Sequence, residues 1–373
     1  MTLSADDLAR YSRHLALREL GVAGQEKLKA AKVLVIGAGG LGSPSILYLA
    51  AAGVGTLGIV DFDSVDISNL QRQVLFDTDD VGVFKAEAAS ARLRALNPHM
   101  KVVAHRVELQ ASNVLALFKQ YDIVLDGTDR FSTRYLTNDA CVILGKPLVS
   151  AAIHRFEGQA FTYVPKRGPC YRCLFPEPPG EGLVPNCAEA GVLGVLPGVL
   201  GTLQATEAIK LITGIGEPLL GRLLTYDALE MRFGEFKFSR SKDCAVCGDT
   251  PTIHAPQDPP SFCSIEQFET LDRLDPKELA TLLGEPQYAL IDVREPHEYS
   301  LAHFDRAVNI PVGEMAARVH ELSPQQTPIF ICRSGVRSQT AAGVLLRAGK
   351  KAAHLEGGLL AWTREIDPSF KLN

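Results

Sequence analysis

Three groups of residues in this 373-residue sequence have types and spacings that could do chemistry. Cys170-x-x-Cys173 and Cys244-x-x-Cys247 are two pairs, each able to place two thiolates on one turn. Together they can close a tetrahedron around zinc with no position left open for substrate, so this site is expected to be structural. The second group is Cys332-Arg333-Ser334-Gly335-Val336-Arg337-Ser338, lying between the apolar run Ile329–Cys332 and the helical pattern Gln339–Ala348. A thiol there faces loop amides and a helix N-terminus, a setting that favours a thiolate and any anion held above it. Attack on a phosphate and carriage of a persulfide both use such a loop. Phosphatases of this shape need arginine at position 338, where this chain has Ser338, and Arg337 closes a shorter loop. The third group is Gly37, Gly39 and Gly42 in G-x-G-x-x-G, directly after an apolar run and opening a helical one, with Asp61 ending the next apolar run. This is a nucleotide-binding pattern: backbone amides approach phosphate and the carboxylate takes ribose hydroxyls. Ser68-Asn69-Leu70-Gln71-Arg72, Lys85 and Arg13 add amides and cations that a triphosphate needs and a nicotinamide cofactor does not.

These groups need elements to position them. Lys32–Ile36, Thr56–Val60 and Asp122–Leu125 are β-branched runs of strand length, and Leu41–Ala52 and Lys85–Leu96 have helical composition between them. Strand, helix and strand joined by short turns predict an α/β fold with a mainly parallel, Rossmann-like sheet, to which the alternating Gln159–Val164 adds antiparallel strands. Val192–Ile215 is broken by Pro197 and carries Glu207 and Lys210, so it is expected as a buried core helix and not a membrane span. Pro251, Pro256, Pro259 and Pro260 mark a linker over 249–268. It divides a first domain, 1–248, from a smaller α/β domain, 269–373, in which Tyr288–Val293 and Ile329–Cys332 are strands.

Composition sets the outer bounds. Hydrophobic residues at 46% and charged residues at 22% exclude disordered and collagen-like classes, and a net charge of −5 argues against a nucleic-acid partner. Residues 1–10 lack a signal-peptide pattern, which with the cysteine usage predicts a cytoplasmic protein whose thiols serve metal binding or catalysis.

In their order, Gly37 to Gly42 (GAGGLG), Asp61-Phe62-Asp63, Ser68 to Arg72, Lys85, Asp126-Gly127-Thr128-Asp129 and Cys170-Tyr171-Arg172-Cys173 resemble the ubiquitin-activating-like adenylyltransferases. Among these the sequence is most similar to the molybdopterin-synthase and thiamin sulfur-carrier activating enzymes, over about residues 5–248. The resemblance implies adenylation of the C-terminal glycine of a small ubiquitin-like sulfur carrier ending in Gly-Gly. It further implies that Gly40, Asp61, Asn69, Arg72, Lys85 and Asp129 contact ATP or its Mg2+, with Gly37, Gly39, Gly42, Asp63, Ser68, Leu70 and Gln71 completing the site. Arg13 would reach the phosphates from the other subunit of a homodimer. Arg130 stands where the family usually has Asn and is left out of the site. Cys187, in the Gly- and Pro-containing stretch Glu177 to Gly191, matches a cysteine that forms a thioester or a disulfide. Residues 275–370 resemble a rhodanese domain through Asp292-Val293-Arg294-Glu295, Ala307 to Pro311, the Cys332 loop and Gly357 to Trp362. That implies a persulfide on Cys332, supported by loop amides and by Arg333 or Arg337, and filled by a donor such as a cysteine desulfurase or thiosulfate. Asp292 and Arg294 are expected to tie the fold together, Trp362 and Cys141 to pack in the core, and Cys263 and the nine histidines to have no role. Molybdopterin, thiamin, cysteine and tRNA thiolation remain open as pathways. Two rivals stand beside this reading: a nicotinamide-dependent oxidoreductase with a redox-sensing tail, and a non-catalytic scaffold for sulfur carriers.

Overall fold

The computed structural model describes residues 2–178, 191–258, 271–370 and 372. Cys187 and Cys263 lie outside the described residues. Those up to 178 and from 191 to 258 form one compact unit, and those from 271 onward form another.

In the first unit eight strands make one sheet: β1 (Lys32–Ile36), β2 (Thr56–Val60), β3 (Lys101–His105), β4 (Ile123–Asp126), β5 (Leu148–His154), β6 (Glu157–Tyr163), β7 (Arg222–Asp227) and β8 (Arg232–Lys237). Their order is β3-β2-β1-β4-β5-β6-β7-β8. The first five run parallel, and β6, β7 and β8 are added antiparallel. The two-residue period of β1 explains why the sheet is covered on both faces. Val33 and Val35 pack with Ile46, Leu49, Leu57 and Ala205 on one side, while Leu34 and Ile36 pack with Phe118, Val124 and Tyr135 on the other. Burying each larger side chain contributes about 1.5–3 kcal/mol.

The long apolar stretch is a helix, Leu196–Thr213, with Pro197 in its first turn, where no backbone N–H is missed. Its polar residues are used inward: Gln204 Nε2 donates to the Asp126 carbonyl at 2.7 Å, and Glu207 accepts from Thr162 Oγ1 and the Leu219 amide. Residues of the proline-bearing segment up to 258 remain on this unit, where Asp258 accepts the Ala111 N–H at 2.6 Å.

The second unit is a five-stranded parallel sheet of β9 (Asp272–Leu274), β10 (Tyr288–Asp292), β11 (Val308–Asn309), β12 (Thr327–Ile331) and β13 (Ala353–Leu355), ordered β11-β10-β12-β13-β9. Central β12 repeats the logic of β1. Phe330 and Cys332 face Ala341 and Leu345, and Ile329 and Ile331 face Leu355, Leu359 and Trp362. Trp362 meets Phe304 edge-on at 4.8 Å between ring centres. Arg294 and Asp292 are both fully buried and joined at 2.6 Å, and Arg294 also donates to the Ala302 carbonyl. Cys141 is wholly buried in the first unit. No described helix is long and apolar enough to cross a membrane.

Candidate functional sites

The glycine-rich turn lies at the carboxyl end of β1, between β2 and β4, where the strand order reverses direction, the place at which open α/β sheets take ligands. The Gly37 N–H continues the sheet onto the Val60 carbonyl, and the turn then folds so tightly that a Cβ on Gly42 would collide with the Gly37 carbonyl oxygen. Asp61 ties the turn to the second strand, accepting from the Ala38 amide at 2.8 Å and the Asp63 amide at 2.9 Å. Burial pushes its carboxyl above the usual range, and the nearby Lys85 charge opposes that.

Lys85 begins the helix Lys85–Leu96, its N–H on the Asp63 carbonyl and its Nζ 3.4 Å from Asp63 Oδ2. Asp63, Lys85 and Asp61 are therefore brought together. Arg72 donates to the Ser68 carbonyl at 3.0 Å and packs beside Gly40 and Pro197. Ser68 and Asn69 form a short turn capped by Asp66, Leu70 leans on the core, and Gln71 is exposed next to Gly194. Asp126 is a scaffold residue, accepting from Thr128 and Ser150 and lying 3.5 Å from the buried Arg134. Asp129 and Arg13 are exposed, and no hydrogen bond or ion pair among the described residues draws Arg13 to the other groups. Arg130 points to the ring of Phe62 and pairs with Glu108 at 3.2 Å.

The four paired cysteines converge as one cluster, all four sulfurs within 4.8 Å of one another. Cys170 Sγ is 3.6 Å from Cys244 and 3.9 Å from Cys173, and Cys173 is 3.3 Å from Cys247. A tetrahedron with zinc–sulfur bonds of about 2.3 Å has sulfurs about 3.8 Å apart, so the donor set and its size fit that ion. Sharing of protons among the sulfurs drives Cys173 down to about 6 and Cys170 upward. The Cys170 pair belongs to the turn Tyr171–Leu174, which Asn138 and Asp139 anchor through the Tyr171 amide and the Arg172 guanidinium.

In the second unit Cys332 follows β12 directly and is 0% exposed. Its sulfur accepts the amides of Gly335 at 3.1 Å and Ser338 at 3.3 Å. Gly335, at φ +93°, turns the loop into the helix Val336–Arg347, so the thiol faces that helix's first turn. Arg333 donates to the Leu372 carbonyl at 3.2 Å. Arg337 is buried in a bidentate pair with Glu298, at 2.6 and 2.8 Å, which holds that carboxyl below its usual range against the effect of burial. Sequence reasoning did not single out Glu298, Ser338 as a neighbour of the sulfur, or His354 on β13. A capping pattern, Glu295-x-x-Glu298, was legible at the start of its helix, but its partnership with Arg337 was not.

Comparison with known proteins gives these geometries a lineage. Residues 11–246 match the model of the ThiF family. The chain belongs to that family. Residues 275–365 of this ThiF-family chain match the rhodanese-like domain. A probable adenylyltransferase/sulfurtransferase MoeZ of Mycobacterium tuberculosis is 48% identical over 99% of this chain and 96% of its own length. The adenylyltransferase and sulfurtransferase MOCS3 of Aedes aegypti is 42% identical over 99% of this chain and 90% of that protein. Among solved structures, E. coli MccB with AMPCPP and MccA aligns at a TM-score of 0.58 and 27% identity, covering 64% of this chain and 74% of that one. The fold and family expected from the motifs are thus borne out.

Proposed function

We propose that this chain adenylates the C-terminal carboxylate of a small ubiquitin-like sulfur carrier and then converts it to a thiocarboxylate with sulfur held on Cys332. The observation that carries the reading is the pairing, in one chain, of a ThiF-family domain whose glycine turn is tied down by Asp61 with a rhodanese-like domain whose thiol is clasped by two loop amides. Relatives named for both transferase activities extend over nearly its whole length, which sets aside the oxidoreductase and scaffold readings.

A carboxylate is a poor acyl donor. Its oxygen attacks the α-phosphorus of ATP, pyrophosphate leaves, and the acyl-adenylate now has AMP as a leaving group. Lys85 and Arg72 neutralise charge that builds on the phosphates, the glycine-turn amides hold them, and Asp61 fixes that turn while its free lone pairs take the ribose. Asp129 would hold the Mg2+ that accompanies ATP, and Arg13 would reach the phosphates from a second subunit. The terminal sulfur of a Cys332 persulfide, filled by a cysteine desulfurase or by thiosulfate, attacks the acyl carbon and AMP departs. A second thiol, Cys187, cleaves the acyl disulfide at the Cys332 sulfur. The carrier leaves as a thiocarboxylate and a Cys332–Cys187 disulfide remains for an external reductant. Cys170, Cys173, Cys244 and Cys247 would hold zinc, which would supply cross-linking and no reacting group. The carriers served are those of molybdopterin assembly first, and those of thiamin, cysteine or tRNA thiolation second.

The test is the intact mass of small proteins ending in Gly-Gly after incubation with the chain, ATP, magnesium, thiosulfate and a reductant. Exchange of one carboxylate oxygen for sulfur, dependent on ATP and on Cys332, is expected. Cys187→Ala is expected to keep ATP–pyrophosphate exchange and lose thiocarboxylate. Pyrophosphate exchange with every carrier left unmodified would remove the sulfur-transfer half.

A further inference from the structure

The Cys332 sulfur has a third polar neighbour besides its two amides, the Ser338 hydroxyl oxygen at 3.6 Å. That hydroxyl has one proton and three groups around it. The Gly335 carbonyl oxygen is 2.9 Å away, His354 Nδ1 is 3.4 Å away, and the sulfur is the third. His354 is 3% exposed and its Nε2 meets no polar partner. A bare ring nitrogen costs less as an unused acceptor than as a buried N–H with no acceptor, so the proton belongs on Nδ1, where the Ser338 hydroxyl oxygen takes it. Burial agrees, holding this imidazole down to about 4, with Arg273 adding to the effect. The ring is therefore neutral at physiological pH.

We infer that Ser338 and His354 form a hydroxyl switch for Cys332: His354 Nδ1–H donates to the Ser338 oxygen and the Gln339 amide keeps the Gly335 carbonyl satisfied, which frees the Ser338 O–H to turn from that carbonyl to the sulfur when the sulfur becomes an anion. In the thiol state the S–H donates to Ser338 Oγ, and the Ser338 O–H donates to the Gly335 carbonyl. Once the sulfur has released its proton to solvent, the O–H rotates and adds a charge-assisted hydrogen bond to the two amide bonds. The imidazole keeps its proton throughout. Ser338 touches the reacting sulfur and is a catalytic residue, whereas His354 acts through it and is a positioning residue. The surrounding charges are already engaged: Arg337 by Glu298, Arg333 by the Leu372 carbonyl, and Arg273 by Glu356 at 3.8 Å. The hydroxyl is thus the group left to respond to the sulfur. The switch deepens the reading of Cys332 as sulfur carrier, yet it concerns the thiol alone and is measured without sulfur transfer.

The experiment follows thiolate ultraviolet absorbance against pH in the full-length chain, taken as the difference from the same protein carrying Cys332→Ala. Ser338→Ala is expected to move thiolate formation to higher pH, so that the thiolate fraction at neutral pH falls about tenfold. His354→Leu is expected to give a smaller shift in the same direction. Ser338→Thr restores the hydroxyl and His354→Asn restores a donor in place of Nδ1, and both should return the curve toward the parent. Unchanged curves in Ser338→Ala and His354→Leu would overturn the switch. Should those variants not fold, nitrogen NMR of the unmodified protein decides: a His354 proton on Nδ1 upholds the proposal, and one on Nε2 removes it. A normal switch with no thiocarboxylate formed would instead count against the proposed function.

Discussion

The nucleotide crevice and the Cys332 loop both gather backbone N–H groups at the carboxyl end of a parallel strand, and they differ in what their side chains do before a substrate arrives. In the crevice, Arg72 makes no ion pair among the described residues, Asp129 and Arg13 face solvent, and Lys85 stands 3.4 Å from Asp63. In the loop, Arg337 is locked to Glu298 and the sulfur already accepts two amides with no exposed surface. The first region leaves those charges without ion-pair partners other than Asp63 among the described residues, as the proposed ATP site requires. The second uses its charges to build the cup and leaves one neutral hydroxyl and the amides to meet the anion. Charge removal should therefore cost activity in the first region and stability in the second.

The largest expected effect tests the first half of that contrast. Lys85→Ala or Arg72→Ala should lower ATP–pyrophosphate exchange about 100- to 1,000-fold, the loss typical of one transition-state charge partner. Thermal unfolding should barely move; a retained rate would break the comparison. Next is Arg337→Met, which leaves the Glu298 carboxylate buried and unpaired at a cost of about 3–5 kcal/mol to the second unit. Denaturant unfolding of the full chain reads this, and adding Glu298→Gln should recover part of the loss. An unchanged midpoint would mean that Arg337 serves the sulfur and not the scaffold.

A smaller effect concerns acid. Lys29, with Ser4, holds the buried Asp7 carboxyl down to about 2 from an ordinary 3.8. Because the folded carboxylate is the stronger acid, its contribution is fully present above pH 4 and is lost as pH falls toward 2. Asp7→Asn should flatten the pH dependence of stability in that window, as seen in acid titrations of unfolding. Smallest of all is Arg130→Asn. Its partner Glu108 is half exposed, so exchange should stay within about twofold, since surface pairs contribute little. A large loss would add Arg130 to the crevice.

Much of this architecture was legible because local pattern decides it. Lys32–Ile36, Thr56–Val60 and Lys85–Leu96 are strands and a helix with the bounds that their apolar runs suggest. The two cysteine pairs announce their cluster through spacing alone, even 74 residues apart. What escaped is contact between segments that carry no shared pattern. Glu298 reads as a helix cap, and only the folded chain places it against Arg337, 39 residues on. His354 lies in a three-residue strand too short to show periodicity, and its value depends on Ser338 arriving from another element. Arg134, in the helix Phe131–Leu144, is buried 3.5 Å from Asp126, a contact that no sequence pattern marks.

The edge strand β9 carries a consequence for how the second unit is made. Asp272 pairs with Ala353, so the first strand of this sheet to be synthesised finds its neighbour in the last. On the ribosome β9 has no partner until residues 353–355 have emerged, by which time β10, β11 and β12 can already associate. The sheet then closes in a late, long-range step, the kind that slows folding and prolongs exposure of a strand edge. Chains released before Ala353 would keep Cys332 and lose both β13 and the pairing of β9, leaving a thiol on an open sheet for quality control to find.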